Sequence, residues 1–285
     1  MTLLMYCGHH KCATRWLVDI LTDACNRVGL EFFEAHNAGM FDRDLASFLA
    51  RRPVDLLAYT NARHEFIERL EDYRGFHVIR DPRDILVSAY FSHLHSHPTD
   101  GWSALEQHRQ RLKSCSEEEG LTLELDFIED VFSALARWDY HRPQMLELKM
   151  EDLVRNAYEG LVEVFVHLDL TDPEEVSFDV QMRRISERRA IATSEPQRRR
   201  QAPALLLQRS ELLDIAYRNR FSKKAGGRRV GQEDSHSHYR RGESGDWRNH
   251  FTPRLSARFA ERYGKLLLDL GYEADEGWWR AIETA

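Results

Sequence analysis

Five short apolar runs, four of them followed by a stretch with helical spacing, constrain this chain more than any other feature of its sequence. The runs are TLLMYC (residues 2–7), LEFF (30–33), VDLLAYT (54–60), GFHVIR (75–80) and QMLELKM (144–150). Helical periodicity follows in TRWLVDILTDACNRVG (14–29), HEFIERLED (64–72), DPRDILVSAYFSHL (81–94) and EDLVRNAYEGLVEVFVHLDL (151–170). Gly29 stops the first of these helices, and Asp81 with Pro82 supplies a cap and first-turn residue for the third. Strands alternating with helices predict an α/β fold: a mostly parallel central sheet with helices on both faces.

Residues 103–142 read as mainly helical, and a final helix covers RLSARFAERYGKLLLDLGY (254–272). The stretch 186–246 differs, with Gly-containing clusters, many charges and one helical segment, PALLLQRSELLDIAYRNRF (203–221). We expect a single domain over 1–285 in which 186–246 forms a helix flanked by mobile loops, a lid over the carboxyl edge of the sheet.

Hydrophobic residues make up 42% and charged residues 31% of the 285, the balance of a globular enzyme with a sizeable core. A net charge of -7 argues against a general nucleic-acid binder, although Arg183–Arg200 and Arg218–Arg241 are locally basic. No run approaches the roughly 18 apolar residues of a membrane span. The first strand begins at Thr2, which leaves no room for a signal peptide. Cys7, Cys12, Cys25 and Cys115 lack paired-ligand spacing, so neither a zinc site nor a disulfide framework is expected. A cytoplasmic location follows as the default.

The turn after the first strand, Gly8-His9-His10-Lys11-Cys12-Ala13-Thr14-Arg15-Trp16, has the makings of an anion site. Backbone N–H groups at a helix start point outward, and the helix dipole favours negative charge there. Lys11 adds a cation, Thr14 a hydroxyl, Arg15 a second cation and Trp16 a flat face for a purine. A plain strand-to-helix turn with a solvated Lys is the bland alternative. A nucleoside-triphosphate loop requires G-x-x-x-x-G-K-[ST]. Here Lys11 follows Gly8 by three residues, Ala13 takes the second glycine's place, and no Lys precedes Thr14, which disfavours kinase-like phosphotransfer.

Two further stretches extend the pattern. VIRDPRDILVSAYFSH (78–93) places Arg80 at a strand end and Ser88 on the next helix, and SHYRRGESGDWRNHFTP (237–253) offers Arg240, Arg241 and Gly242. Together with the first loop these resemble the nucleotide-binding signatures of the PAPS-dependent sulfotransferase family, PAPS being 3'-phosphoadenosine 5'-phosphosulfate. The resemblance spans residue 3 to about residue 270 and includes KMEDLV (149–154), similar to the family's YEDL segment.

The resemblance implies a P-loop-like sulfotransferase fold and a transfer that releases 3',5'-bisphosphoadenosine (PAP) without a metal. By position, Gly8 to Trp16 would wrap the 5'-phosphosulfate: Lys11 bridging the phosphate and the transferring sulfuryl group, Thr14 bonding the phosphate, Trp16 stacking on adenine. Arg15 resembles the K-G-G-T-R loop of heparan-sulfate-type members. Arg80 and Ser88 match the 3'-phosphate binders, and Arg240, Arg241 and Gly242 match the family's R-K-G with Arg for Lys.

The acceptor's base departs from both branches. The cytosolic branch keeps a His where this chain has Asn61, and His64 lies one turn later. The heparan-type branch uses a Glu at a distance from the loop Lys that Glu34 matches, with Glu31 and His36 beside it. We rank Glu34 and His36 above His64. The implied acceptor is a small molecule or a glycan. A module that binds PAPS or PAP without catalysis is the alternative from another class. SHLHSHP (92–98), with His93, His95 and His97, reads as a loop lining the acceptor site rather than a metal site, and Trp278-Trp279 as packing residues.

Overall fold

The computed structural model describes residues 2–172, 174, 178–192 and 205–280. All five expected strands form: β1 (Leu3–Gly8), β2 (Phe32–Ala35), β3 (Leu56–Tyr59), β4 (Tyr73–Ile79) and β5 (Met145–Lys149). They pair in parallel in the order β2-β3-β1-β4-β5. β1 thus has neighbours on both sides, and its carboxyl end sits where the strand order reverses, the place where open α/β sheets bind ligands. β2 begins two residues later than its apolar run suggests, because Phe32 is the residue that registers with Leu56. Glu34 is therefore a strand residue.

The chain divides into two compact units, Met1–Ile79 with Trp138–Arg220 and Arg80–Arg137 with Phe221–Ala285. The first contains the sheet. Alternate strand residues face opposite ways, so both faces need cover. On one face Leu4, Tyr6, Leu56, Ala58, Phe76 and Val78 join a core with the helices α1 (Thr14–Val28), α9 (Ala157–His167) and α11 (Arg209–Arg218). On the other, Met5, Cys7, Leu57, Tyr59 and Met145 pack with Phe41, with Leu45 of α2 (Leu45–Arg51), with Ile67 of α3 (His64–Ile67) and with Trp138. α8 (Met150–Arg155) follows β5 directly, and α10 (Phe178–Ala192) completes the helices of this unit.

The expected helix at 203–221 starts later than its pattern suggests. The Leu207 N–H donates to the Leu170 carbonyl, and the Thr171 hydroxyl donates to the Leu207 carbonyl. Gln181 brackets Leu206 from both sides of its peptide. These bonds hold 205–208 in a non-helical path until Gln208 and Glu211 cap α11. Of the expected lid, 193–204 lies outside the described residues.

The second unit is helical: α4 (Pro82–Phe91), α5 (Ser103–Leu112), α6 (Glu117–Phe127), α7 (Glu129–Arg137), the short α12 (Phe221–Lys224) and α13 (Pro253–Asp269). Asp81 accepts from the Arg83 N–H and caps α4, as its sequence implies, and Ser116 with Glu119 forms a capping box for α6. Buried Leu86, Leu121, Phe132, Leu135, Trp247 and Phe259 build its core. Arg83 is buried there too, its guanidinium 3.8 Å from the Trp247 ring and 4.6 Å from Trp278, with Asp81 and Glu273 as its anions. Trp278 is a packing residue, as expected.

Candidate functional site

The turn from β1 into α1 has a backbone suited to an anion. Lys11 (φ 66°) and Ala13 (φ 57°) both adopt the left-handed conformation. Ala13 is the N-cap of the 15-residue α1, offers no side-chain cap, and no acidic residue stands in the first turn. The first N–H groups of α1 therefore have no side-chain acceptor at the cap, and the dipole there is uncompensated. A Cβ on Gly8, the last residue of β1, would collide with the Tyr6 hydroxyl, so a larger residue there would force that ring to move. That hydroxyl is itself buried without a hydrogen-bond partner. An uncapped helix start and an orphaned hydroxyl are features that a bound phosphate suits.

The other loop residues divide by direction. Thr14 is the first helical residue and is half-buried. Trp16 packs against the core and donates its indole N–H to the Asn219 carbonyl at 2.9 Å. Arg15 is exposed and pairs along the helix with Asp19 at 3.3 Å. Cys12 is buried, and its N–H donates to the His9 carbonyl. His9 turns its ring inward, only 2% exposed, toward His77.

Parallel strands bring the candidate bases to the same edge as this loop. The Ala62 N–H donates to the Gly8 carbonyl at 2.9 Å, and the Asn61 side chain donates to the His36 carbonyl at 2.8 Å. Asn61 thus fixes the turn that carries His36. Glu34 is half-buried on β2 in register with Ala58, and His36 is exposed. His64 is occupied: Arg142 donates to its Nδ1 at 2.9 Å, which leaves the proton on Nε2, 3.2 Å from Glu68.

In the second unit Asp84 organises the remaining cations. Its carboxylate lies 4.0 Å from the Arg80 guanidinium and accepts from the N–H groups of Gly245 (2.6 Å) and Trp247 (2.9 Å). Burial raises the Asp84 pKa against the lowering effect of Arg80 and these two N–H groups. Ser88, one turn on, is the residue of Asp81–Tyr90 that keeps solvent exposure. The segment tied down by Asp84 carries Asp246, which receives both Arg240 and Arg241. Burial opposes its ionisation, but hydrogen bonds from His250, Asn249 and Arg240 win and hold Asp246 well below the usual carboxylate range. Arg240 also reaches Glu233 and lies 4.4 Å over the Phe91 ring, while Arg241 reaches Glu243 at 2.8 Å. Gly242 (φ 73°) packs on Phe221, where a Cβ would strike the ring.

The 92–98 stretch departs from the expected loop. It continues α4 as a π turn, Ser92–Ser96, because His93 is pulled inward by buried Glu124. Glu124 is 2.7 Å from His93 Nδ1 and 2.8 Å from His108 Nε2. Burial raises its pKa, but those two hydrogen bonds outweigh it and keep the carboxyl below its ordinary range.

Sequence reasoning missed the meeting of His93 and His108 on Glu124, the Asp84 anchor and a second buried chain. His77 and Glu147 are register partners on β4 and β5, with Cys7 on the other side of His77. His77 Nδ1 lies 2.6 Å from Glu147, its Nε2 2.8 Å from His9, and its ring stacks on Trp138, whose N–H donates to Glu147. The available signal was polar residues inside GFHVIR and QMLELKM, where a fully covered strand calls for apolar ones.

The fold is similar to that of sulfotransferases of known structure. The structure matches the mouse sulfotransferase SULT7A1 complexed with PAP, with a TM-score of 0.57 and 16% identity over 99% of this chain and 88% of that one. It also matches retinol dehydratase in a complex with retinol and PAP, with a TM-score of 0.52 and 13% identity over 93% of this chain and 80% of that one. A sequence model of the sulfotransferase domain matches residues 206–271, the stretch that holds Arg240, Arg241 and Gly242. No curated protein matches the sequence. The likeness first read from three short motifs is thus to the sulfotransferases, in sequence over 206–271 and in fold over the chain.

Proposed function

We propose that this protein is a PAPS-dependent sulfotransferase that moves a sulfuryl group from PAPS to an acceptor hydroxyl or amine and releases PAP. The observation that carries the reading is the uncapped start of α1 behind Gly8 and Lys11, at the switch point of a sulfotransferase-like sheet. In this reading the α1 N–H groups, Lys11 and Thr14 hold the 5'-phosphosulfate, and Trp16 meets the adenine. Arg80, Ser88, Arg241 and the Gly242 N–H hold the 3'-phosphate, with Arg240 serving chiefly to pin the segment through Glu233 and Asp246.

The acceptor oxygen or nitrogen attacks sulfur, the bond from sulfur to the bridging phosphate oxygen breaks, and the acceptor's proton passes to a base. Negative charge grows on that bridging oxygen. Fixed donors aimed at developing charge lower the barrier because they need no reorganisation as it forms. Of the candidate bases, Glu34 and His36 sit at the loop's edge of the sheet, whereas His64 has both ring nitrogens engaged. A small-molecule or glycan acceptor fits this chemistry, and no step calls for a metal. Three buried cysteines among four free thiols favour a reducing, cytoplasmic setting.

The test is an acceptor screen with sulfur-labelled PAPS, followed by PAP release. Label transferred to an acceptor, unchanged by chelation of magnesium, is the expected result. PAP binding with no transfer to any hydroxyl or amine would instead make the chain a nucleotide-binding module, and magnesium-dependent transfer from ATP would make it a kinase.

A further inference from the structure

Glu147, His77 and His9 form an unbroken hydrogen-bonded line through the interior of the sheet unit, ending in the loop that carries Lys11. Glu147 Oε2 is 2.6 Å from His77 Nδ1, and His77 Nε2 is 2.8 Å from His9 Nε2. Both rings are buried, while 23% of the Glu147 side chain meets solvent. Trp138 fixes the geometry by stacking on His77 at 4.0 Å and donating to the second Glu147 oxygen at 2.9 Å. Glu147, His77 and Trp138 take no part in the proposed transfer, and His9 enters it only as a residue of the phosphate loop.

Such a line admits two arrangements of its protons. With Glu147 ionised, His77 donates from Nδ1 to the carboxylate and accepts at Nε2 from His9, so His9 Nδ1 carries a lone pair. With Glu147 protonated, the carboxyl donates to His77 Nδ1, His77 donates from Nε2 to His9 Nε2, and His9 Nδ1 carries the hydrogen. One proton is taken up between the two states, each ring keeps one hydrogen, and both rings stay neutral. We propose that these three residues form a proton relay in which ionisation of Glu147 sets the polarity of His9 Nδ1 and thereby the affinity of the 8–14 loop for phosphate. The inference rests on that loop being the nucleotide's phosphate site.

The surroundings favour the carboxyl as the group that titrates. Burial pushes Glu147 up to about 7, opposed by the Trp138 N–H and by Arg142, with Asp139 adding to the rise. Burial pushes His77 down to about 3, helped by Arg142, and lowers His9 strongly, helped by His77 and Arg63. Cys7 faces the same row from β1, and burial keeps its thiol protonated. His9 belongs to the 8–14 loop, so a hydrogen on its Nδ1 makes the potential there more positive and a lone pair makes it more negative. Phosphate should therefore bind better below neutrality than above.

Glu147→Gln separates this from a structural role. An amide N–H donates to His77 Nδ1 while the amide oxygen still accepts from Trp138, which holds the low-pH polarity at every pH. PAP binding to both full-length proteins by calorimetry from pH 6 to 8 gives the comparison, and the phosphate's own titration near 6 cancels between them. Wild type should lose about three- to tenfold more affinity across that range than Glu147→Gln, the scale of a neighbouring polar group reversing its polarity. Nitrogen NMR of the ligand-free proteins should show His77 and His9 exchanging tautomers in wild type and fixed tautomers in the variant. Unchanged wild-type tautomers, or parallel affinity profiles, would overturn the relay. If PAP binds neither protein at any pH, the loop is not the phosphate site and the affinity claim falls with it, whereas tautomer failure alone leaves the sulfotransferase reading standing.

Discussion

His77 and Glu147 are direct register partners on adjacent strands, with Nδ1 and Oε2 2.6 Å apart, so a carboxylate is built into the wall of the sheet. This has a consequence for stability. A carboxyl whose folded pKa is raised, here from 4.5 to about 7, binds a proton in the native state where the unfolded chain has lost it. Stability should therefore fall as pH rises from about 4.5 to about 7 and level off above, by roughly 3 kcal/mol at most. Urea unfolding of Glu147→Gln should lack this slope. The variant should gain on wild type as pH rises to 8, and a constant difference between the two across pH would contradict the assignment.

Lys11 is held in the left-handed conformation at the head of α1, which places a cation where the transferring group is proposed to sit. Lys11→Ala should leave the melting temperature nearly unchanged and lower turnover by roughly 10²–10³, the scale for losing one preorganised donor. Single-turnover kinetics with saturating PAPS isolate the effect. Near-normal turnover would remove Lys11 from the reaction.

Arg241 is shared between buried Asp246 and the more exposed Glu243, which competes for the arm proposed to hold the 3'-phosphate. Removing that competitor should help the ligand. Exposed ion pairs contribute up to about 1 kcal/mol, so Glu243→Gln should tighten PAP binding by about two- to fivefold. Arg241→Ala should weaken it. Calorimetry that finds weaker binding in Glu243→Gln would assign Glu243 to the ligand itself.

The base is tested by three substitutions assayed together. Glu34→Gln or His36→Ala, the former above all, should abolish turnover while PAP binding survives. His64→Ala should act more mildly, because Arg142 and Glu68 already occupy that ring. Inactivity confined to His64→Ala would reverse the ranking. Full activity in all three would leave the reaction without a base among them.

The strands were legible because a covered parallel sheet demands apolar runs, and each of the five runs became a strand. The phosphate turn was legible because glycine, lysine and threonine at a helix start have local causes. What the sequence hid were contacts made at long range. Nothing local in Asp84 says that it will hold the N–H groups of Gly245 and Trp247. Glu124 likewise lies in an ordinary helical stretch and gains its meaning only when α4 and α5 deliver His93 and His108 to it. The alternate histidines of 92–98 looked like a loop because their helix continues as a π turn, which depends on that buried carboxylate. Leu205–Leu207 looked helical because their tie to Leu170 and Thr171 is equally remote.

The central claim is that Lys11, Thr14, Arg80, Ser88 and Arg241 serve one nucleotide that carries both 5'- and 3'-phosphates. Its most direct test is a thermal-shift titration of the intact protein with PAP, ADP and ATP. A ligand that binds only the native state adds about 2.7 kcal/mol at a hundredfold excess over its dissociation constant. PAP should raise the melting temperature well above either adenine nucleotide lacking the 3'-phosphate, and Arg80→Ala or Arg241→Ala should remove most of the difference. Equal stabilisation by ATP and PAP would contradict the account.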